Sequence, residues 1–268
     1  MVFGDFEFDY EFDCALPGVK WSARAYPDKL TRHMMFEGTY QHEVIVAIQS
    51  LLRPGDVFFD VGAHHGLMSV VAAKAAGPTG RVVAFEPNPE ARYHLERHLA
   101  LNTVSNVTVE PIGILDREGT LDFYQQRGAR TYNSSFVREF VDEDEMLQPI
   151  HVPVTTLDRY VQATGVIPSF LKIDVEGTDM HALKSGLNTI EKHSPVLSIE
   201  FNEQSATAAG TSVGELYDRL VHLGYGMTVL EKAWDGKLSF SRQRAFDLNR
   251  DLSRTEVTNV LCTPAHRR

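Results

Sequence analysis

The chain has 268 residues, of which 43% are hydrophobic, enough for one sizeable core. Its 26 Lys and Arg against 36 Asp and Glu leave a net charge of −10. That balance excludes a broad nucleic-acid face, which needs clustered cations.

The chain starts with an acidic, aromatic stretch, MVFGDFEFDYEFD, without the basic start and apolar core of a secretory signal. Residues 1–52 read as an N-terminal cap whose only clear element is a helix over Glu43–Leu52, with Val44, Ile48, Leu51 and Leu52 at helical spacing. Arg53-Pro54-Gly55-Asp56 ends it in a turn. A β-α alternation then begins. Val57–Phe59 is an apolar strand ending at Asp60, and Leu67–Ala76 a helix stopped by Gly77-Pro78. Arg81–Phe85 is a strand ending at Glu86. Pro89–Leu101 is a helix, with proline in its first turn and Glu90 at its positive end. Val107–Val109 is a third strand. This order predicts parallel strands joined by right-handed crossovers.

Gly119–Gln125 and His151–Val154 are short strands flanking a polar excursion, residues 126–149, the natural lid or substrate loop. Its acidic run, residues 141–145, reads as a solvated loop. Phe170–Ile173 is a strand ending at Asp174, Thr178–Ile190 a helix, and Val196–Ile199 a strand ending at Glu200. Ser212 and Glu215 form a capping box for a helix that closes at Gly224. Gly226–Leu230 and Val257–Cys262, separated by a long loop, are expected to form an antiparallel hairpin at the sheet edge. No apolar run approaches the length of a membrane span. Cys14 and Cys262, near opposite ends, read as free thiols of a reducing cytoplasm. His94, His98, His181, His193 and His222, on or beside helices, read as surface residues.

In open α/β sheets ligands bind at the carboxyl ends of the strands. Asp60, Glu86, Asp174 and Glu200 each end a predicted strand, so the fold gathers them on one rim. Gly62 and Gly66 permit a tight turn between strand and helix, and an acid in the position of Glu86 suits ribose hydroxyls. The turn, Gly62-Ala63-His64-His65-Gly66, lacks the middle glycine of a dinucleotide loop. Asp60 also suits a cationic ligand better than a pyrophosphate. Charge logic therefore favours S-adenosylmethionine over a nicotinamide dinucleotide.

The stretches DVGAHHG, FEPNP, NVTVEPIGI, EGTLDF, NSSF, VPVTTLDRY, FLKIDVEG and PVLSIEFNE occur in this order between about Tyr40 and Leu261. In this the chain resembles the FkbM family of S-adenosylmethionine-dependent methyltransferases. The resemblance implies one α/β domain over residues 1–268. Its core, residues 53–268, would be the Rossmann-like, seven-stranded class I methyltransferase sheet, mostly parallel with an antiparallel edge hairpin. It implies methylation of a hydroxyl on a small molecule, a sugar or another natural product, with S-adenosylhomocysteine as the second product. N- or carboxyl-methylation on the same scaffold is the alternative, followed by a nicotinamide-dependent oxidoreductase. By the same resemblance Asp60, Gly62, His64 and Gly66 would line the methionine side of the cofactor. Glu86 would hold the ribose, Pro87 and Asn88 would lie beside the adenosine, and Ile112-Gly113 would flank the adenine. Ser134 and Ser135 match a recurrent pair near cofactor or substrate, and Tyr40 and Glu43 a segment that closes over the cofactor. His64 stands where the family commonly has a small polar residue.

Lys172 and Asp174 alternate to one side of their strand, so each is the other's obvious partner in a buried setting. Methyl transfer to a hydroxyl needs a positioned base, and Asp174 or Glu176 fits, oriented by Lys172, with Glu200 assisting. A divalent metal held by Asp174, Glu176 and Glu200 with His64 or His65 is the less favoured way to activate the hydroxyl. No membrane partner is expected, and the oligomeric state, a homodimer included, stays open.

Overall fold

A computed structural model describes residues 10–13, 16, 18–23, 29–126, 134–141, 148–208, 210, 212–234, 239–246 and 258–265. Cys14, the acidic residues 142–145 and much of the 126–149 excursion lie outside the described residues. In chain order the strands are β1 (Tyr10–Asp13), β2 (Lys20–Ala23), β3 (Val57–Val61), β4 (Arg81–Phe85), β5 (Val107–Glu110), β6 (Gly113–Ile114), β7 (Gly119–Phe123), β8 (Ile150–Thr155), β9 (Phe170–Ile173), β10 (Val196–Phe201), β11 (Tyr225–Trp234), β12 (Ser239–Ala245) and β13 (Thr258–Pro264). The helices are α1 (Lys29–Phe36), α2 (His42–Leu51), α3 (Leu67–Ala76), α4 (Pro89–Leu101), α5 (Leu157–Thr164), α6 (Asp179–Lys184), α7 (Leu187–His193), α8 (Glu203–Ala208) and α9 (Val213–His222).

The main sheet runs β12-β11-β13-β10-β9-β3-β4-β5. The block β10-β9-β3-β4-β5 is parallel, and β13 enters antiparallel between β10 and β11. Seven of these strands form the class I methyltransferase sheet. The eighth, β12, adds to the edge from inside the stretch expected to be a loop. Its mostly polar sequence, SFSRQRA, carries no apolar run to mark a strand. Residues alternate between two cores along each central strand. Phe58, Val82 and Phe170 face α2 and α3, while Phe59, Val83 and Leu171 face α5, α6 and α9.

Two expectations need correction. The helix expected over Thr178–Ile190 is broken at Ser185-Gly186. There the Ser185 hydroxyl accepts from Leu157 N (3.0 Å) and its carbonyl from Asp158 N (3.0 Å), so Ser185 satisfies the first turn of α5 instead of continuing α6. Also, His94 and His98 are buried, not exposed. Trp21 of the N-terminal hairpin β1-β2 covers the His98 ring with centroids 3.6 Å apart, and His94 packs against the His65 ring.

A Cβ on Gly186 would stand 2.4 Å from Leu157 Cδ2 and 3.2 Å from Leu157 Cβ. Gly186→Ala should therefore lower the unfolding free energy by about 1–3 kcal/mol. Urea denaturation checks this, and an unchanged midpoint contradicts the close packing.

Candidate functional site

At the carboxyl ends of the parallel strands lies a cleft between the loops after β3, β4, β9 and β10. One wall is apolar, with Leu67, Met68, Phe85, Ile112, Phe123 and Phe136. The cleft's polar and acidic lining includes Tyr40, Gln41, Asp174, Glu176 and Glu200. Gly62, His64, Glu86, Pro87, Ser134, Ser135 and Lys172 also line it.

Beneath the acidic wall the strand register sets Asp60 directly beside Lys172. Asp60 lies inside β3 and is wholly enclosed. It therefore supports the cleft from below and does not line it, contrary to the expected cofactor contact. Its Oδ2 accepts from Ser69 (2.6 Å), and its Oδ1 meets the Lys172 ammonium at 3.3 Å. The same ammonium reaches Asp174 Oδ2 (3.5 Å) and donates to the Gly62 carbonyl (3.3 Å). Burial alone would lower the pKa of Lys172, but Asp174 and Asp60 raise it above its ordinary value. Burial pushes the Asp60 carboxyl up, against the opposing pull of Lys172.

The glycine turn is fixed from two sides. Gly62 has φ +80°, and a Cβ there would lie 1.9 Å from the Asp174 carbonyl oxygen, so only glycine lets the β3 and β9 loops meet. Gly66, at φ +83°, presses on Leu95 of α4 and makes no part of the cleft wall. Glu86 spans the turn and the next loop. Its Oε2 accepts from His64 N (2.7 Å) and its Oε1 from Asn88 N (2.8 Å). Burial nonetheless pushes its carboxyl up. Asn88 caps α4 from behind the cleft, its Oδ1 accepting from Glu90 N at 3.0 Å. Gly113 is likewise behind the wall, against Phe136.

The serine pair ties the excursion to both halves of the cleft. Ser134 Oγ accepts from Asn88 Nδ2 (3.2 Å) and Gln126 N (3.0 Å), while Ser135 Oγ donates to the Glu176 carbonyl (2.9 Å). Glu176 itself sits in the left-handed region at φ +45°. Burial, then Asp174 and Asp179, push its carboxyl up to about 8. Asp179, buried at the start of α6, is pushed up to about 7 by burial and then by Asp174. Glu200 is raised in the same way and lies within β10, one residue before its end. Burial and the neighbouring carboxylates Asp174 and Glu200 raise the Tyr40 hydroxyl.

Glu43 does not line the cleft. It is buried outside the cleft wall and accepts from Asn259 Nδ2 at 3.0 Å. The metal set weighed from sequence is not assembled. The His65 ring packs between those of His64 (3.9 Å) and His94 (4.5 Å), outside the cleft wall. Among the described residues no group of three or more His, Cys, Asp or Glu could hold a metal ion. Sequence reasoning missed Gln41, whose Nε2 donates to Asp174 Oδ2 at 3.4 Å, and Asp179. The polar residue placed just before the α2 pattern was the available sign for Gln41. The acid in the first turn of α6 was the sign for Asp179.

A seven-stranded sheet with this strand order, an acid clasping the glycine turn and a carboxylate-lined cleft define a class I methyltransferase fold. The Methyltransferase FkbM domain matches residues 60–227, and the chain belongs to that family. "Methyltransferase 1" of Beauveria bassiana (strain ARSEF 2860) is 26% identical over 147 residues, 49% of this chain and 59% of that protein. The chain thus spans less than two thirds of that relative's length. Among solved structures, the methyltransferase FkbM of Methylobacillus flagellatus KT superposes with a TM-score of 0.48 at 16% identity, covering 81% of this chain and 50% of that one. The precorrin-6y C5,15-methyltransferase of Geobacter metallireducens GS-15 gives 0.46 at 14% identity, over 83% and 87% of the two chains. No helix among the described residues is long and apolar enough to cross a membrane.

The acids fix the sign of a pH effect. Glu176, Asp179 and Glu200 hold protons in the fold that the unfolded chain releases near pH 4. Between about pH 4 and about pH 8 the native state binds more protons, so unfolding free energy falls as pH rises through that window. Urea titrations at pH 5 and pH 8 should show the lower stability at pH 8, and Glu176→Gln should flatten the decline. Equal stability at both values contradicts the assignment.

Proposed function

We propose that the protein is an S-adenosylmethionine-dependent O-methyltransferase whose acceptor is a hydroxyl of a sugar or another natural product. The observation that carries the reading is the pairing of the Lys172 ammonium with Asp174 Oδ2 on the cleft wall, against the turn clasped by Glu86. The residues present fit this cofactor. The apolar wall of Phe85, Ile112 and Phe123 suits an adenine, and Glu86 has lone pairs left for ribose hydroxyls. They fit a dinucleotide poorly. The His64 N–H of the turn is already donated to Glu86 and so does not serve a pyrophosphate.

When bound, S-adenosylmethionine supplies an electrophilic methyl group and a neutral thioether leaving group. The chain's task is to align the acceptor oxygen and take its proton as the new O–CH3 bond replaces the S–CH3 bond. Lys172 and Gln41 both hold Oδ2 of Asp174, which leaves Oδ1 to receive the proton. Glu176 and Glu200 on the same wall accept hydrogen bonds from neighbouring hydroxyls of a polyol acceptor. The carboxylates also favour a sulfonium over a thioether. As Glu176 ionises near pH 8, preference for S-adenosylmethionine over S-adenosylhomocysteine should grow.

Calorimetry and turnover test the reading together. The protein should bind S-adenosylhomocysteine and not NADH. With S-adenosylmethionine and a panel of methyl glycosides and phenols, it should release S-adenosylhomocysteine. Asp174→Asn should cut that release by about 10²–10⁴-fold, the worth of a positioned base, with cofactor affinity changed far less. Binding of NADH alone, or full turnover by Asp174→Asn, would remove the proposal's basis.

A further inference from the structure

His98 lies on α4, outside the cleft wall, and is 0% exposed. Its Nδ1 is 2.8 Å from the backbone carbonyl of His65, in the middle of the glycine turn. A carbonyl only accepts, so Nδ1 carries the proton and donates. Nε2 meets Ser22 twice, its hydroxyl Oγ at 3.1 Å and its backbone carbonyl at 3.3 Å. Trp21, the neighbour of Ser22 on β2, covers the imidazole at 3.6 Å between centroids and 16° between planes. One imidazole thus joins the N-terminal hairpin to the back of the cofactor turn.

Both ends of this link are anchored. On the hairpin side the Asn102 amide at the end of α4 grips the Lys20 backbone twice. Lys20 N donates to its Oδ1 (2.9 Å), and its Nδ2 donates to Lys20 O (2.7 Å). On the turn side, Gly66 presses on Leu95, one helical turn before His98. The His65 ring stacks on His64 at 3.9 Å and 9°, and His64 N donates to Glu86 in the cleft. A displacement of the turn therefore has a short, packed route to Trp21.

We propose that His98 is a positioning residue for the cofactor turn, and that it transmits occupancy of the turn to the hairpin, where Trp21 reports it. The proposal rests on the reading of the turn as a cofactor site. It gives the N-terminal hairpin, which has no motif of its own, a part in cofactor binding.

The chain has two tryptophans, so Trp234→Phe leaves Trp21 as the sole indole. In that background, S-adenosylhomocysteine should change the tryptophan emission with the same Kd that calorimetry gives. His98→Leu removes the ring's polar contacts to His65 and Ser22. It should abolish the emission change and weaken binding roughly three- to tenfold, as expected for one buried hydrogen bond. His98→Asn, whose amide can donate where Nδ1 did, should recover affinity. Should His98→Leu fail to fold, Ser22→Ala keeps the ring in place and should still reduce the emission change. Normal binding with unchanged Trp21 emission overturns the proposal, as does a folded His98→Leu that binds within about twofold of the parent. Absence of S-adenosylhomocysteine binding by the unsubstituted protein overturns the cofactor reading, and this proposal with it.

Discussion

The Lys172 ammonium is the pivot of the molecule. It sits between Asp60 of β3 and Asp174 beyond β9, with the Gly62 carbonyl as a third partner. Removing such charges from water costs several kcal/mol each, and only close pairing makes the arrangement tolerable. The enclosed Asp60 has no other cation within ion-pair distance among the described residues. This geometry dictates what surrounds it. The β3 and β9 loops must close together above the ammonium, and that contact admits no side chain at residue 62.

Above the pivot the cleft divides by chemistry. Glu86 uses both oxygens to order the turn and the start of α4, so the acid proposed to hold a ribose is also a structural clamp. The serine pair then links this clamp to the loop of Glu176 through Asn88 and a backbone carbonyl. The proposed cofactor and acceptor sides are therefore mechanically joined by the serine pair of the excursion. The clustered carboxylates raise one another's pKa values, which costs stability at neutral pH. A strain of this kind is tolerated where it serves a site.

Much of the architecture was legible because local and tertiary signals agreed. The ranges of α3, β4, α4 and β9 coincide with those read from apolar runs bounded by Gly-Pro, Pro-Glu and strand-end acids. The strand-end acids Glu86, Asp174 and Glu200 do converge on one cleft. Illegible features depend on distant residues. The break at Ser185 serves α5, and the burial of His98 depends on a hairpin with no periodic signature. Asp60 and Glu43 have the right residue type for a site, but Asp60 is enclosed against Ser69 of α3 and Lys172, and Glu43 against Asn259 of β13. Composition carries no trace of such coverage.

The most direct measurement is a crystal structure with S-adenosylhomocysteine bound. The account predicts the ribose hydroxyls on Glu86, the adenine against Ile112 and Phe123, and the sulfur facing the wall of Asp174 and Glu176. A ligand bound elsewhere, or with its sulfur turned toward the apolar wall, would contradict it.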